Sequence, residues 1–181
     1  KATGIVRRID DLGRVVIPKE IRRTLRLREG TPLEIFTDRE GEIILKKYSP
    51  MMELNAFASQ YADAMAQSTG LMVCITDRDQ VIAAAGGAKK EFLQKPISRQ
   101  LEHVIQERTT IQAGKDDRAY TPVASEEPEG ITAQVVGPFI CEGDAIGAVI
   151  IMSKEARAKF PDAEVRLAAT AAGFLGRQME S

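Results

Sequence analysis

Two apolar triplets, Val15-Val16-Ile17 and Ile43-Ile44-Leu45, lie within the first fifty residues and constrain the folding of that stretch more than any other feature. Successive residues of a strand point to opposite sides, so an uninterrupted apolar run places hydrophobic side chains on both faces. Both faces then need cover, and about fifty residues folded from one chain can hardly supply it. A second copy interleaved with the first would double the core. It would also set two copies of every polar side chain about a twofold axis, the symmetry of a palindromic duplex site.

The punctuation around these triplets gives the order of elements. Residues 3–9 (TGIVRRI) and 15–17 (VVI) are strand-like, with the turn residues DDLG between them. Pro18 sits where a first helical turn tolerates proline, and KEIRRTLRL continues as a short helix predicted to end near Gly30. LEIFTD and EIILKK, joined around Gly41, read as a hairpin. Tyr48-Ser49-Pro50 breaks the pattern, and an Ala- and Met-rich helical stretch begins at Met51. The expected organisation is a first domain over 1–48, a linker over 49–55 that runs into a helix, and a second domain over 51–181.

Charge is divided along the same line. Residues 1–28 hold nine Lys or Arg against three acids, whereas the whole chain sums to −1, so the remainder is acidic. A basic module of this kind suits a polyanionic partner, although a charged run also serves as a solvated face and nothing more. On the expected helix Ile17, Ile21 and Leu25 recur every four residues as an inward stripe, while Lys19, Arg22, Arg23 and Arg26 follow helical spacing on another face. Arginine predominates, and its planar fork can hold a phosphate or a guanine edge through two hydrogen bonds where a lysine cannot.

The run TGIVRRIDDLGRVVIPKEIRRTLRL, followed by LEIF and EIILKKY, resembles the N-terminal DNA-binding domain of the AbrB family of transition-state regulators. The likeness covers residues 1–48. It implies a swapped-hairpin β-barrel formed by an intertwined dimer, and it implies double-stranded DNA as partner. The family's DNA-contacting arginines fall on Arg7, Arg14, Arg22 and Arg23; Arg8, Lys19 and Arg26 join them as further basic candidates. With a second globular domain behind it, the chain is similar to those members that regulate sporulation genes, as activators or repressors of transcription.

Residues 51–181 read as α+β. A helix from about Met51 to Gln67 stops at Thr69-Gly70, strands follow at LMVCITD and QVIAAAG, and Ser98 caps a helix through Arg108. Strands recur at ITAQVVGPFI and DAIGAVIIMS around Glu142-Gly143, and a last helix runs from about Asp162 to Gln178. This order resembles a GAF domain, an antiparallel sheet with flanking helices, whose relatives commonly hold a small-molecule effector in a pocket over the sheet. Met51, Leu54, Ala58, Tyr61 and Met65, and likewise Val165, Ala168, Ala172, Leu175 and Met179, are spaced 3-4-3-4. Such seams can join subunits, here pairing dimers into a homotetramer, although a helix packed on a sheet needs a similar stripe.

No catalytic constellation, metal-ligand spacing or nucleotide-cofactor motif stands out: Gly86-Gly87-Ala88-Lys89 is too short for a phosphate loop, and the lone His103 reads as a surface or structural residue. Two rival functions start from the same residues. Some GAF proteins reduce free methionine sulfoxide with cysteines, and Cys74 and Cys141 both fall at or near expected strands, although buried cysteines also behave as small hydrophobes. Other proteins of the barrel superfamily are antitoxins that act through a disordered tail, whereas the tail here is patterned and apolar. KATGIVRRIDDLG lacks the apolar stretch of a signal peptide, no apolar run approaches the length of a membrane helix, and two cysteines are too few for a disulfide scaffold. The expected setting is the cytoplasm, on the nucleoid.

Overall fold

The computed structural model describes residues 4–48, 55–156 and 160–179. The chain divides into two compact units, Lys1–Ser49 and Pro50–Ser181.

In the first unit a six-residue helix, α1 (Lys19–Thr24), precedes a hairpin of β1 (Leu33–Thr37) and β2 (Ile43–Lys47), paired antiparallel from Leu33↔Lys47 to Thr37↔Ile43. The hairpin turn forms because the Asp38 carboxylate accepts from the backbone of Glu40 and Glu42 while Gly41 supplies a φ of +86°. α1 starts directly after Pro18, as expected, but it stops six residues short of the expected Gly30. Leu27 N–H bonds to Arg22 C=O and Arg26 N–H to Arg23 C=O, with Arg26 at φ +52°. That pair of bonds is a Schellman closure with arginine in the left-handed position usually held by glycine.

The strands expected at 3–9 and 15–17 do not form among the described residues. Only their turn closes, through Asp10 N–H to Arg14 C=O and Gly13 N–H to Asp10 C=O. A two-stranded ribbon with nothing to pack against is marginal, and one chain offers these segments no ladder partner. Burial tells the same story: Pro18 is the only buried residue between 4 and 48. Val6 is 92% exposed and Val16 and Ile43 are each 69% exposed. The stripe of Ile17, Ile21 and Leu25, expected to face inward, is covered only at Ile17, and there only in part.

The second unit begins with α2 (Asn55–Thr69) and strands β3 (Met72–Thr76) and β4 (Val81–Ala85). Helices α3 (Lys89–Phe92) and α4 (Arg99–Gln106) come next, then β5 (Ile111–Gly114), β6 (Ala133–Cys141), β7 (Asp144–Ser153) and a final helix, α5 (Asp162–Gln178). Five strands form one antiparallel sheet in the order β4-β3-β7-β6-β5. Both faces are buried, so its strands are mostly apolar: Val73 and Ile75 face one core, Met72 and Cys74 the other. β6 and β7 are joined by Glu142-Gly143, both at positive φ, as a two-residue I′ turn requires. Ser98 caps α4 by accepting from Leu101 N–H at 3.0 Å, but α4 ends at Gln106, ahead of the expected Arg108, which itself has φ +56°. The short strand β5 was not expected from sequence: four residues, IQAG, carry too little pattern to be recognised.

α2 and α5 cover one face of the sheet. Ala58, Met65, Ala168, Ala172, Leu175 and Met179 lie in the core beneath them, Val165 is packed partly against it, and Tyr61 stacks on Phe174 at 5.2 Å. These side chains are therefore spent on their own chain's sheet. An inward stripe of period 3.5 serves sheet packing as well as helix pairing, and in one chain it serves the sheet. Met51 and Leu54, the remaining two seam positions, lie outside the described residues.

Candidate nucleic-acid interface

All seven basic candidates, Arg7, Arg8, Arg14, Lys19, Arg22, Arg23 and Arg26, are exposed. They stand on three pieces of backbone: Arg7 and Arg8 on the segment before the first turn, Arg14 where that turn ends, and the others on or just after α1. Lys19, Arg22 and Arg23 share a side of the helix by their spacing. Arg26 does not continue it. The Schellman closure ends α1 before this residue, and its left-handed backbone turns the side chain off the helical row.

Arg14 is the best-held member of the set. Its Nε donates to Asp10 Oδ2 at 2.8 Å, and its own N–H donates to Asp10 Oδ1 at 2.8 Å. The same Oδ1 accepts from Leu12 N–H at 2.9 Å, and Gly13 takes the φ of +75° that the tight return requires. The Arg14 backbone and guanidinium bonds hold the Asp10 carboxyl below its ordinary range. The pairing was not foreseen from the sequence, yet the signal is there: an Asp four residues before an Arg, across a Leu-Gly turn.

The second unit offers a different kind of surface. The sheet face under α3 and α4 is filled by Phe92, Leu101, Ile105, Val123 and Ile131, not left open for an effector. The segment 115–132 is tied over it by Glu127, which accepts from Val123 N–H at 2.8 Å, Tyr120 Oη at 2.7 Å and Lys115 Nζ at 3.1 Å. Burial and the Glu127 hydrogen bond raise the Tyr120 phenol. Among the described residues a cavity of about 360 Å³ lies at the strand ends, lined by Gly70, Met72, Gly86, Met152, Lys154 and Glu155. Cys74 and Cys141 are both buried, on opposite faces of the sheet, and burial pushes the Cys74 thiol up. His103 is exposed on α4. Asp38, Glu40 and Glu42 cluster, exposed, at the β1–β2 turn, with nothing more to mark a metal site.

Two family models match the chain. The model described as "Stage V sporulation protein T C-terminal, transcription factor" covers residues 53–180, and "Antidote-toxin recognition MazE, bacterial antitoxin" covers residues 6–52. The chain is 54% identical over 180 residues to stage V sporulation protein T of Bacillus subtilis (strain 168), spanning 99% of both. Over 73 residues, 40% of this chain and 75% of the other, it is 49% identical to the transition state regulatory protein AbrB of the same organism. The GAF domain of PixJ from Thermosynechococcus elongatus matches 74% of this chain and 89% of its own at a TM-score of 0.56 and 13% identity, a likeness of fold alone.

Proposed function

The chain belongs to the stage V sporulation protein T family, and from that premise we infer that it is an oligomeric DNA-binding transcription regulator of sporulation genes. The observation that carries this reading is the state of the first unit. Its apolar side chains stand in solvent in a single chain, beside a set of exposed basic contact candidates in which arginine predominates. Exposed apolar surface on this scale marks an interface. Interleaving two chains as a swapped-hairpin barrel gives residues 4–9 and 14–17 their missing strand partners and doubles the basic surface about a twofold axis.

On this reading Arg7, Arg14, Arg22 and Arg23 meet the duplex, two from strand and turn and two from α1. Lys19 shares the side of α1 that carries Arg22 and Arg23. Arg8 is a weaker member: once residues 4–9 are a strand, neighbours point to opposite faces, and Arg7 and Arg8 cannot both look at one DNA surface. Arg26 is weaker too, being off the helical row.

The second unit regulates and oligomerises. For pairing dimers into a tetramer, α2 and α5 offer their outer side, where Phe57 is exposed, because the inward stripe is occupied. An effector, if one binds, has the strand-end cavity, not the filled sheet face. A thiol reductase is not supported: its two cysteines would have to cooperate through a sheet, and a raised thiol pKa disfavours the thiolate. An antitoxin tail is not supported either, since residues 55–156 and 160–179 build a folded core. The setting that fits this role is the cytoplasm, on the nucleoid; among the described residues no helix is long and apolar enough to cross a membrane.

The test is binding of the full-length protein to a duplex selected from random DNA, measured by anisotropy across salt. Binding through several phosphate contacts loses roughly 10³-fold or more in affinity between 50 and 200 mM salt. Binding indifferent to salt would refute the reading.

A further inference from the structure

We propose that Asp10 is a positioning residue for DNA recognition: it grips Arg14 at Nε, so that the two terminal nitrogens of the fork meet the duplex in a fixed orientation. This rests on the reading that Arg14 touches DNA.

Asp10 is bound to Arg14 at three points. Oδ2 accepts from Nε and Oδ1 from the Arg14 backbone N–H, each at 2.8 Å, while Asp10 N–H donates to Arg14 C=O at 3.0 Å. Both ends of the arginine side chain are thereby fixed to one neighbour. The Asp10 carboxylate is in turn locked by the turn it closes, through Leu12 N–H and the Gly13 to Asp10 backbone bond. An exposed ion pair of this sort adds little to stability, so a contribution to folding is a poor account of it. A contribution to recognition is a better one. Two-point hydrogen bonding by a guanidinium depends on how its plane is turned, and a side chain ordered beforehand loses less freedom on binding.

The alternative makes an opposite prediction. As a plain negative charge beside a polyanion, Asp10 would weaken binding, and removing the charge would tighten it. Asp10→Asn separates the two. Its amide oxygen still accepts from Leu12 and Arg14 N–H, preserving the turn, but the NH₂ that replaces Oδ2 cannot accept from Nε.

The experiment is a double-mutant cycle in the full-length protein: wild type, Asp10→Asn, Arg14→Ala and the double variant. Each is titrated against a duplex selected from random DNA and against an unrelated duplex. Asp10→Asn is expected to lower affinity for the selected duplex about fivefold, within the range of couplings between touching side chains, and to leave the unrelated duplex unchanged or bound slightly tighter. In the Arg14→Ala background the same change should cause no loss. Equal or tighter binding of the selected duplex by Asp10→Asn would overturn the proposal. So would a loss that persists without Arg14, since Asp10 would then act on the turn itself. If Arg14→Ala alone binds like wild type, the fault lies in the assignment of Arg14 as a contact, and the proposal falls with it.

Discussion

Phe92, Phe139 and Phe160 in the second unit are wholly enclosed, whereas Phe36 in the first unit stands 40% exposed in a single chain beside exposed Ile35, Ile43 and Ile44. Both units are rich in Val, Ile and Leu. What differs is whether one chain can close the layers around its sheet. Five strands with helices on one face and α3, α4 and a long crossing segment on the other cover the apolar strand faces except at Ile140, near the β6–β7 turn. Two strands and a six-residue helix have no second layer, and the sequence makes no effort to hide the deficit with polar residues. The lesson is that an apolar strand without a cover is itself information about stoichiometry.

The contrast can be broken at its strongest point by charging the uncovered surface. Val16→Asp, harmless in a free monomer where this side chain already meets water, should abolish dimerisation of the first unit and lower DNA affinity by more than about a hundredfold, because an unpaired buried charge has no good alternative. Sedimentation and anisotropy would check both effects, and hydrogen exchange should show the second unit intact.

The converse change is made in the second unit. Leu175, fully buried under α5, should cost about 3 kcal/mol when cut to alanine. Gly147→Ala should cost about as much as overpacking allows, roughly 3 kcal/mol, because its Cβ would stand 2.0 Å from Thr76 O and 2.5 Å from Phe139 Cζ. Both should lower the melting temperature of the second unit while leaving the affinity of folded protein for DNA unchanged.

A smaller effect is expected at the contact surface. Arg23→Ala should weaken DNA binding about tenfold and reduce the salt slope by about one contact, with no change in melting. Arg26→Gly should relieve a left-handed arginine and stabilise the end of α1 by about 1 kcal/mol while barely altering affinity. A large loss of binding in that variant would restore Arg26 to the contact set.

The smallest concerns pH. The Asp10 carboxyl lies below the ordinary aspartate range through its bonds to Arg14, so its folded pKa is depressed. The hold on Arg14 is then fully present above the unfolded pKa and is lost only as pH falls through the folded one. DNA affinity should thus show no step assignable to Asp10 between about pH 5 and 8, checked by anisotropy at constant salt.

How much of this the sequence carried depends on where the information resides. Ser98, Glu142-Gly143 and the bounds of α5 were legible because capping and turn chemistry are local. The basic helix was legible through PKEIRR, but its end was not, since nothing in an arginine side chain announces a left-handed backbone at Arg26. On α2 and α5 the spacing marks an apolar stripe but cannot say whether a sheet or another helix lies opposite, and in one chain it is the sheet. Asp10 escaped notice because its role depends on a contact with Arg14 that spacing suggests but does not specify.

Hydrogen exchange of the full-length protein at micromolar concentration tests the central claim most directly. Backbone amides of residues 5–9 and 15–17 have no strand partner among the described residues of one chain. Interleaved chains predict protection there of at least about a hundredfold, comparable to stable ladder positions elsewhere in a fold. Exchange at the rate of a free peptide, with the protein folded and bound to DNA, would contradict the account.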